Sequence, residues 1–304
     1  MKESLVTYNM KVIIQHNFTS GLGDFISDVS QYMTILEEPK NLGYEIHLKI
    51  SLRSNKYSKG PFFSSLFDDE TISFFDSIEE TNKTIYELEL EGCKYYCSNH
   101  HPQIPGQHHY DIFFDEVPPN FGIKIFSAQN IHHANSLPKL FPKPNILINN
   151  LVENFHRKLP NEYNFLHIRT SDIIDSNNER YDRIISNVRN FVSDTNENFH
   201  LGTNNKYIYN MLKNDSNIFV FEFEYFDLLS NDQNAFTNGW YGNEIEDSVL
   251  INRLQSIFAE MVSIEKCSKI YYLYDISWVS NFLFYPMCSS KNKIELINKN
   301  LWLN

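Results

Sequence analysis

The sequence predicts an α/β protein of two units, each built on a parallel sheet. Three observations carry that prediction. From residue 163 to residue 285, short apolar or β-branched runs alternate with helical periodicities, the pattern of a parallel sheet covered on both faces. Near the start, Lys11–His16 leads through Gly21-Leu22-Gly23-Asp24 into a helical spacing and then a second run, Tyr44–Ile50, which reads as a βαβ unit. The chain has 304 residues, more than one core of ordinary size holds, so two units of about 150 residues are expected.

Composition narrows the function classes. Hydrophobic residues are 42% and charged residues 21% of the chain, ordinary for a soluble globular protein. The net charge of −12 argues against binding a nucleic-acid backbone, which needs a basic surface. It leaves room for one local basic pocket. The four cysteines, Cys93, Cys97, Cys267 and Cys288, are too few for a disulfide framework at this length. The opening MKESLVTYNMK has no apolar core of a signal peptide, and no run of about 18 apolar residues is present to span a bilayer. Cytoplasmic residence is the expectation.

In chain order, Lys11–His16 is a short β-branched strand. Phe25, Ile26, Val29, Tyr32, Met33 and Leu36 then recur at helical spacing, with Asp24 as the expected N-cap and Pro39 beyond the end. A Gly-rich turn at a helix start lets backbone N–H groups approach a ligand, although a ligand-free tight turn reads the same way. The turn is GLGD, not the full G-x-G-x-x-G, so a nicotinamide cofactor is not expected. Residues 51–145 carry weaker signals: a short strand at Ile72–Phe75, another at Ile85–Leu90, and a loop, His100–His109, in which two His pairs flank a Pro/Gly turn. That loop matches no closed zinc pattern and is expected to border an acceptor.

The Pro-bearing stretch Leu137–Asn145 punctuates the chain, and the boundary is placed so that residues 1–150 and 151–304 form the two domains. Helix Ile146–Lys158 precedes a buried strand within Tyr163–Asp172, YNFLHIRTSD. That strand ends in a cation, a common way to build an anion site in an α/β protein, since ligands sit outside the carboxyl ends of parallel strands. Arg169 offers a rigid fork of donors; a plain Arg169–Asp172 pair at a strand end is the competing reading. Next come a helix over 180–194, strand Phe199–Leu201 leading into Gly202-Thr203-Asn204-Asn205, helix Lys206–Lys213 and strand Asn217–Phe223. A long helix, Ile245–Lys266, precedes strand Ile270–Leu273, which runs through Ser277 and Ser280 into a last helix.

GLGD after the first strand, HIRTSD opening the second half and a Ser-bearing turn after the last strand occur in the order seen in the fucosyltransferase superfamily: α1,6-fucosyltransferases, nodulation-type enzymes and protein O-fucosyltransferases. The chain resembles that superfamily, most strongly over 163–285. The resemblance implies a GT-B fold, two Rossmann-like lobes facing across a cleft. The N-terminal lobe would take the acceptor and the C-terminal lobe the nucleotide sugar. It further implies a metal-independent inverting glycosyltransferase, with GDP-fucose as donor and a glycan, lipid-linked or protein hydroxyl as acceptor. No D-x-D metal motif is present; Asp68-Asp69-Glu70 has the wrong spacing.

Carried over residue by residue, Arg169 takes the place of the diphosphate-binding arginine and His167 that of a His near the guanine or phosphate. Asp172 takes the motif's terminal acid. Thr203, Asn204 and Asn205 match a turn under the nucleotide, and Glu260 lies where an acid meets the guanine edge. A helix acid facing solvent is the plain alternative for Glu260. Ser277 and Ser280 would donate to the β-phosphate from a helix N-terminus, with a simple N-cap as the alternative. Gly21 and Gly23 form the Gly-rich turn. Two positions depart from the pattern: Thr170 stands where a second Arg is usual, and Asp24 where an Asn is usual. Asp24, Asp172 and Asp175 are the candidates for the base, and the sequence does not choose among them.

Overall fold

The computed structural model describes residues 9–16, 22–23, 26, 30, 45–52, 65–68, 72–74, 98–104, 107–112, 141–170, 179–222, 247–274, 281–290 and 294–299. The chain divides into two compact units, Met1–Asn145 and Ile146–Asn304, each with a five-stranded sheet.

The first unit's sheet has the order β3-β2-β1-β4-β5. Strand β1 (Asn9–His16) pairs in parallel with β2 (Glu45–Leu52), from Asn9 opposite Glu45 to His16 opposite Leu52. Beyond β2 lies β3 (Ile72–Phe74), also parallel. On the other side β1 meets β4 (Ser98–Ile104) in parallel at Gln15 and Asn99. The strand order therefore reverses at β1, whose carboxyl end leads toward the GLGD stretch.

The segment expected as a His-bearing loop is instead a pair of strands. β4 runs antiparallel to β5 (Gln107–Ile112), with His101 opposite His109 and His100 opposite Tyr110. The ladder shifts register between His101 and Ile104, where Pro102 has no N–H to donate. The expected strand at Ile85–Leu90 lies outside the described residues. Leu22, Gly23, Ile26 and Ser30 are helical, and the Ser30 hydroxyl donates to the Ile26 carbonyl at 2.7 Å. The expected cap, Asp24, lies outside the described residues.

The second unit opens with helix α1 (Ile146–His156), and its sheet has the order β10-β9-β6-β7-β8. The strands are β6 (Asn164–Arg169), β7 (Phe199–Thr203), β8 (Ile218–Val220), β9 (Lys269–Tyr274) and β10 (Glu295–Asn298), and all four pairings are parallel. β6 is central and buried along its length until Arg169, as a strand with both faces covered must be. The chain winds from β6 through β7 to β8, then crosses to β9 and β10, so the order reverses between β6 and β9.

Helix α2 (Glu179–Thr195) buries Tyr181, Ile184, Ile185, Val188 and Val192, one stripe at helical spacing. Glu179 and Asp182 sit in its first turn, where negative charge complements the helix dipole. With α3 (Lys206–Leu212) that stripe packs on Leu166, Ile168, Phe199 and Leu201. Helix α4 (Asp247–Ser263), extended by a 3-10 turn Ile264–Lys266, serves another cluster, in which Ile264 and Cys267 join Tyr163, Phe165, Ile270 and Leu283. A 3-10 turn Asn281–Leu283 leads into α5 (Phe284–Ser289). The short edge strand β10 was not expected from the sequence. Among the described residues no helix is long and apolar enough to cross a membrane.

Candidate functional site

The site grows from the carboxyl end of β6. Arg169 is the last residue of that strand and lies opposite Tyr274, the last residue of β9. Both ends border the point where the strand order reverses, the place where open α/β sheets bind ligands. Arg169 is partly exposed at that end of the strand.

The next residue, Thr170, is only 3% exposed and is held on both backbone polar groups by one side chain. Its N–H donates to Asn204 Oδ1 at 3.1 Å, and its carbonyl accepts from Asn204 Nδ2 at 3.1 Å. Asn205 adds a donation from Nδ2 to Thr170 Oγ1 at 3.4 Å. The amide of Asn204 thus replaces the next rung of the ladder after Ile168–Thr203. Asn205 also caps α3: its Oδ1 accepts from the Ile208 N–H at 3.0 Å. Its own N–H donates to Thr203 Oγ1 at 3.2 Å. The structure therefore brings Thr203, Asn204 and Asn205 to the Arg169 end, where both asparagine side chains hold the protein's own backbone and cap. The sequence signal was present, since an Asn just ahead of a helical run is a cap by default, but nothing in it pointed to Thr170.

His167 is buried two residues before Arg169 on the same strand. Its ring stacks on Phe165 and Phe282, at centroid distances of 5.8 Å and 5.1 Å and interplanar angles of 23° each. Burial first, and the neighbouring Arg169 charge second, push its pKa down to about 3. It is a neutral ring that supports the strand end, not a second cation.

Glu260 is neither on a solvated face nor open at the strand ends. It is 5% exposed, and its Oε1 lies 3.6 Å from Nε2 of the fully buried His200 on β7. Burial raises its carboxyl well above the ordinary range and lowers His200 to about 3. Glu260 Oε1 and both His200 ring nitrogens lack a hydrogen-bond partner. His200, which the sequence reading passed over, is thus the neighbour that defines the place of Glu260.

Gly21, Asp24, Asp172, Asp175, Ser277 and Ser280 lie outside the described residues, and Gly23 is a buried helical residue. Among the described residues no group of three or more His, Cys, Asp or Glu side chains converges on one point.

No protein-family model matches the chain, and no curated protein matches it. Among solved structures, the chain is similar to the fucosyltransferase NodZ from Bradyrhizobium, with 10% identity, 92% of each chain covered and a TM-score of 0.48. It is similar to a NodZ alpha-1,6-fucosyltransferase soaked with GDP-fucose, with 9% identity, 92% of each chain covered and a TM-score of 0.47. It is also similar to POFUT1 in complex with GDP, with 10% identity over 97% of this chain and 99% of that one, and a TM-score of 0.45.

Proposed function

We propose that the protein is a glycosyltransferase that takes its sugar from a nucleotide-sugar donor bound at the Arg169 end of the second unit. The observation that carries this reading is the position of Arg169, at the carboxyl end of a buried central strand and beside the reversal between β6 and β9. A fork of donors at that point suits a diphosphate. The motif order described from the sequence supports the same assignment.

In this reading Arg169 stabilises charge that grows on the β-phosphate as the sugar departs, the task a metal performs in other transferases. Ser277 and Ser280 donate to the same phosphate, Asp24, Asp172 or Asp175 takes the acceptor's proton, and the anomeric centre inverts. Residues 151–304 form the donor domain and residues 1–150 the acceptor domain, working in the cytoplasm on a glycan, lipid-linked or protein hydroxyl. GDP-fucose is the first donor to test, because the resemblance implies it.

A second reading keeps the transferase and changes the nucleotide to a UDP- or ADP-sugar. The burial of Glu260 beside His200 favours it, because a carboxyl held in the interior does not offer two acceptors to a guanine edge. The absence of a second Arg at Thr170 favours a weaker hold on the diphosphate, or a binding protein without turnover. Calorimetric titration with GDP, UDP and ADP, followed by a donor-hydrolysis screen, separates these readings. Tightest binding of UDP or ADP would sink the guanine assignment, and nucleotide binding with no turnover of any donor would sink the enzyme.

A further inference from the structure

The second unit carries a groove of about 550 Å³ at the amino end of its sheet, the end opposite Arg169. Its walls are the last turns of α2 and the segment that runs from α3 into β8. Small-molecule sites span about 300–1,000 Å³, so the groove has the size of one. Five polar side chains line it: Ser193, Asn196, Asn214, Ser216 and Asn217. None of the five makes a side-chain hydrogen bond to a described residue. Other hydroxyls on α2 turn back onto the helix: Ser186 Oγ donates to the Asp182 carbonyl at 2.8 Å, and Thr195 Oγ1 to the Phe191 carbonyl at 2.9 Å. Ser193 does not, and its hydroxyl is left to the groove.

The backbone around these side chains is fixed. Asn196 and Asn217 hold φ values of 51° and 64°, a left-handed conformation that asparagine adopts more readily than most residues. The Asn196 N–H donates to the Val192 carbonyl at 3.1 Å, and the Asn217 carbonyl accepts from the Phe199 N–H at 2.8 Å. The charges in the wall are spent on each other. Arg189 donates from Nε to Asp215 Oδ2 at 2.6 Å and from Nη2 to Oδ1 at 3.2 Å. Nη2 also donates to the Met211 carbonyl at 2.7 Å. Both α2 and α3 end here, and the partial negative charge of helix carboxyl ends disfavours an anion.

The groove thus favours neither an anion nor a cation. Its amides and hydroxyls each donate and accept, which is the pattern of sugar hydroxyls. Val192 and Ile218 supply apolar wall for the C–H face of a sugar ring. We propose that this groove binds a short stretch of neutral glycan, at a site separate from the one at Arg169. The assignment does not rest on the function proposed above.

The test titrates the nucleotide-free full chain with cellobiose, lactose and N,N′-diacetylchitobiose and follows its amide signals by NMR. At least one of the sugars shifts Asn196, Asn214 and Asn217 saturably while Thr170 stays unmoved. Ser193→Tyr, at an exposed helix position, fills the groove and weakens that binding at least about tenfold. Asn217→Gly keeps the left-handed backbone but loses the amide, so it weakens binding while the melting temperature holds. If Ser193→Tyr does not fold, Asn217→Gly decides the question. The proposal is overturned by the absence of a saturable shift with all three sugars, by shifts that persist unchanged in the folded variants, or by inorganic phosphate binding the same residues as tightly as the sugar. A GDP titration judges the Arg169 site separately.

Discussion

Asn204 holds Thr170 by both of its backbone polar groups, through two hydrogen bonds of 3.1 Å each. A side-chain amide matches a peptide group in having one acceptor and a donor side by side, so it continues the β6–β7 ladder one step past the last strand pair. Arg169 is therefore followed by fixed backbone.

Asn204→Ala removes the two hydrogen bonds that the side chain makes to the N–H and carbonyl of Thr170. A hydrogen bond of this kind contributes about 0.5–1.5 kcal/mol net, so the variant should lose about 2 kcal/mol in denaturant unfolding. Asn204→Asp retains the acceptor and loses the donor, and it should fall between Ala and the wild type. Equal midpoints for all three proteins would show that the clasp does not stabilise the unit.

Gly202→Ala tests how closely the Phe165 ring of β6 packs against β7. The added carbon meets the Phe165 ring and lies 3.3 Å from Glu260 Oε1. Overpacking of this kind costs about 1–3 kcal/mol. The loss should shrink when Phe165→Leu is introduced together with it, and a double-mutant cycle reads that coupling.

How much of this was legible in the sequence depends on how local each feature is. β6 and α2 could be read directly, because a continuous apolar run and a stripe through Tyr181, Ile184, Ile185 and Val188 each carry their own period; the stripe expected to end at Phe191 ends instead at the buried Val192. The β4–β5 pair could not. His100, His101, His108 and His109 surround a Pro-Gly step, and polar strands with a proline look like a loop until their pairing is known. β10 is a four-residue edge strand with no turn signal to announce it. The position of Arg169 at the end of a buried strand was legible from the apolar run that precedes it. The place of Glu260 was not, because its burial depends on His200, 60 positions earlier in the sequence, and helix periodicity alone did not reveal that contact.

His167 gives the protein an acid-sensitive element. Its pKa falls from the ordinary value near 6.5 to about 3 on folding, through burial and then Arg169. A depressed folded pKa means that its stabilising contribution is complete above about 6.5 and is lost as pH falls toward 3. His167→Phe keeps an aromatic ring between Phe165 and Phe282, so stability should depend less steeply on pH between 6.5 and 4 in that variant. Parallel pH curves for the variant and the wild type would contradict the assignment. His200, also lowered to about 3, leaves a residual slope.

Glu260 acts with the opposite sign. Burial raises its folded pKa well above the unfolded value, so its contribution is complete below about 4.5 and is lost as pH rises toward the folded value. Glu260→Gln removes that titration. The stability of the variant relative to the wild type should therefore increase steadily from pH 5 to pH 8 in chemical denaturation. A constant difference across that range would mean that the carboxyl is ionised in the folded protein.

The proposed role of Arg169 is to bind the diphosphate of a nucleotide-sugar donor. Calorimetric titration of GDP into the wild type and Arg169→Ala tests it most directly, with thermal unfolding of both proteins as the control for folding. The wild type should bind GDP measurably, with an affinity that falls at least about tenfold in the variant while the melting temperature holds, and turnover should fall by the about 2.7–4 kcal/mol that one such electrostatic contact supplies in a transition state. Equal GDP affinity in the two folded proteins would contradict it.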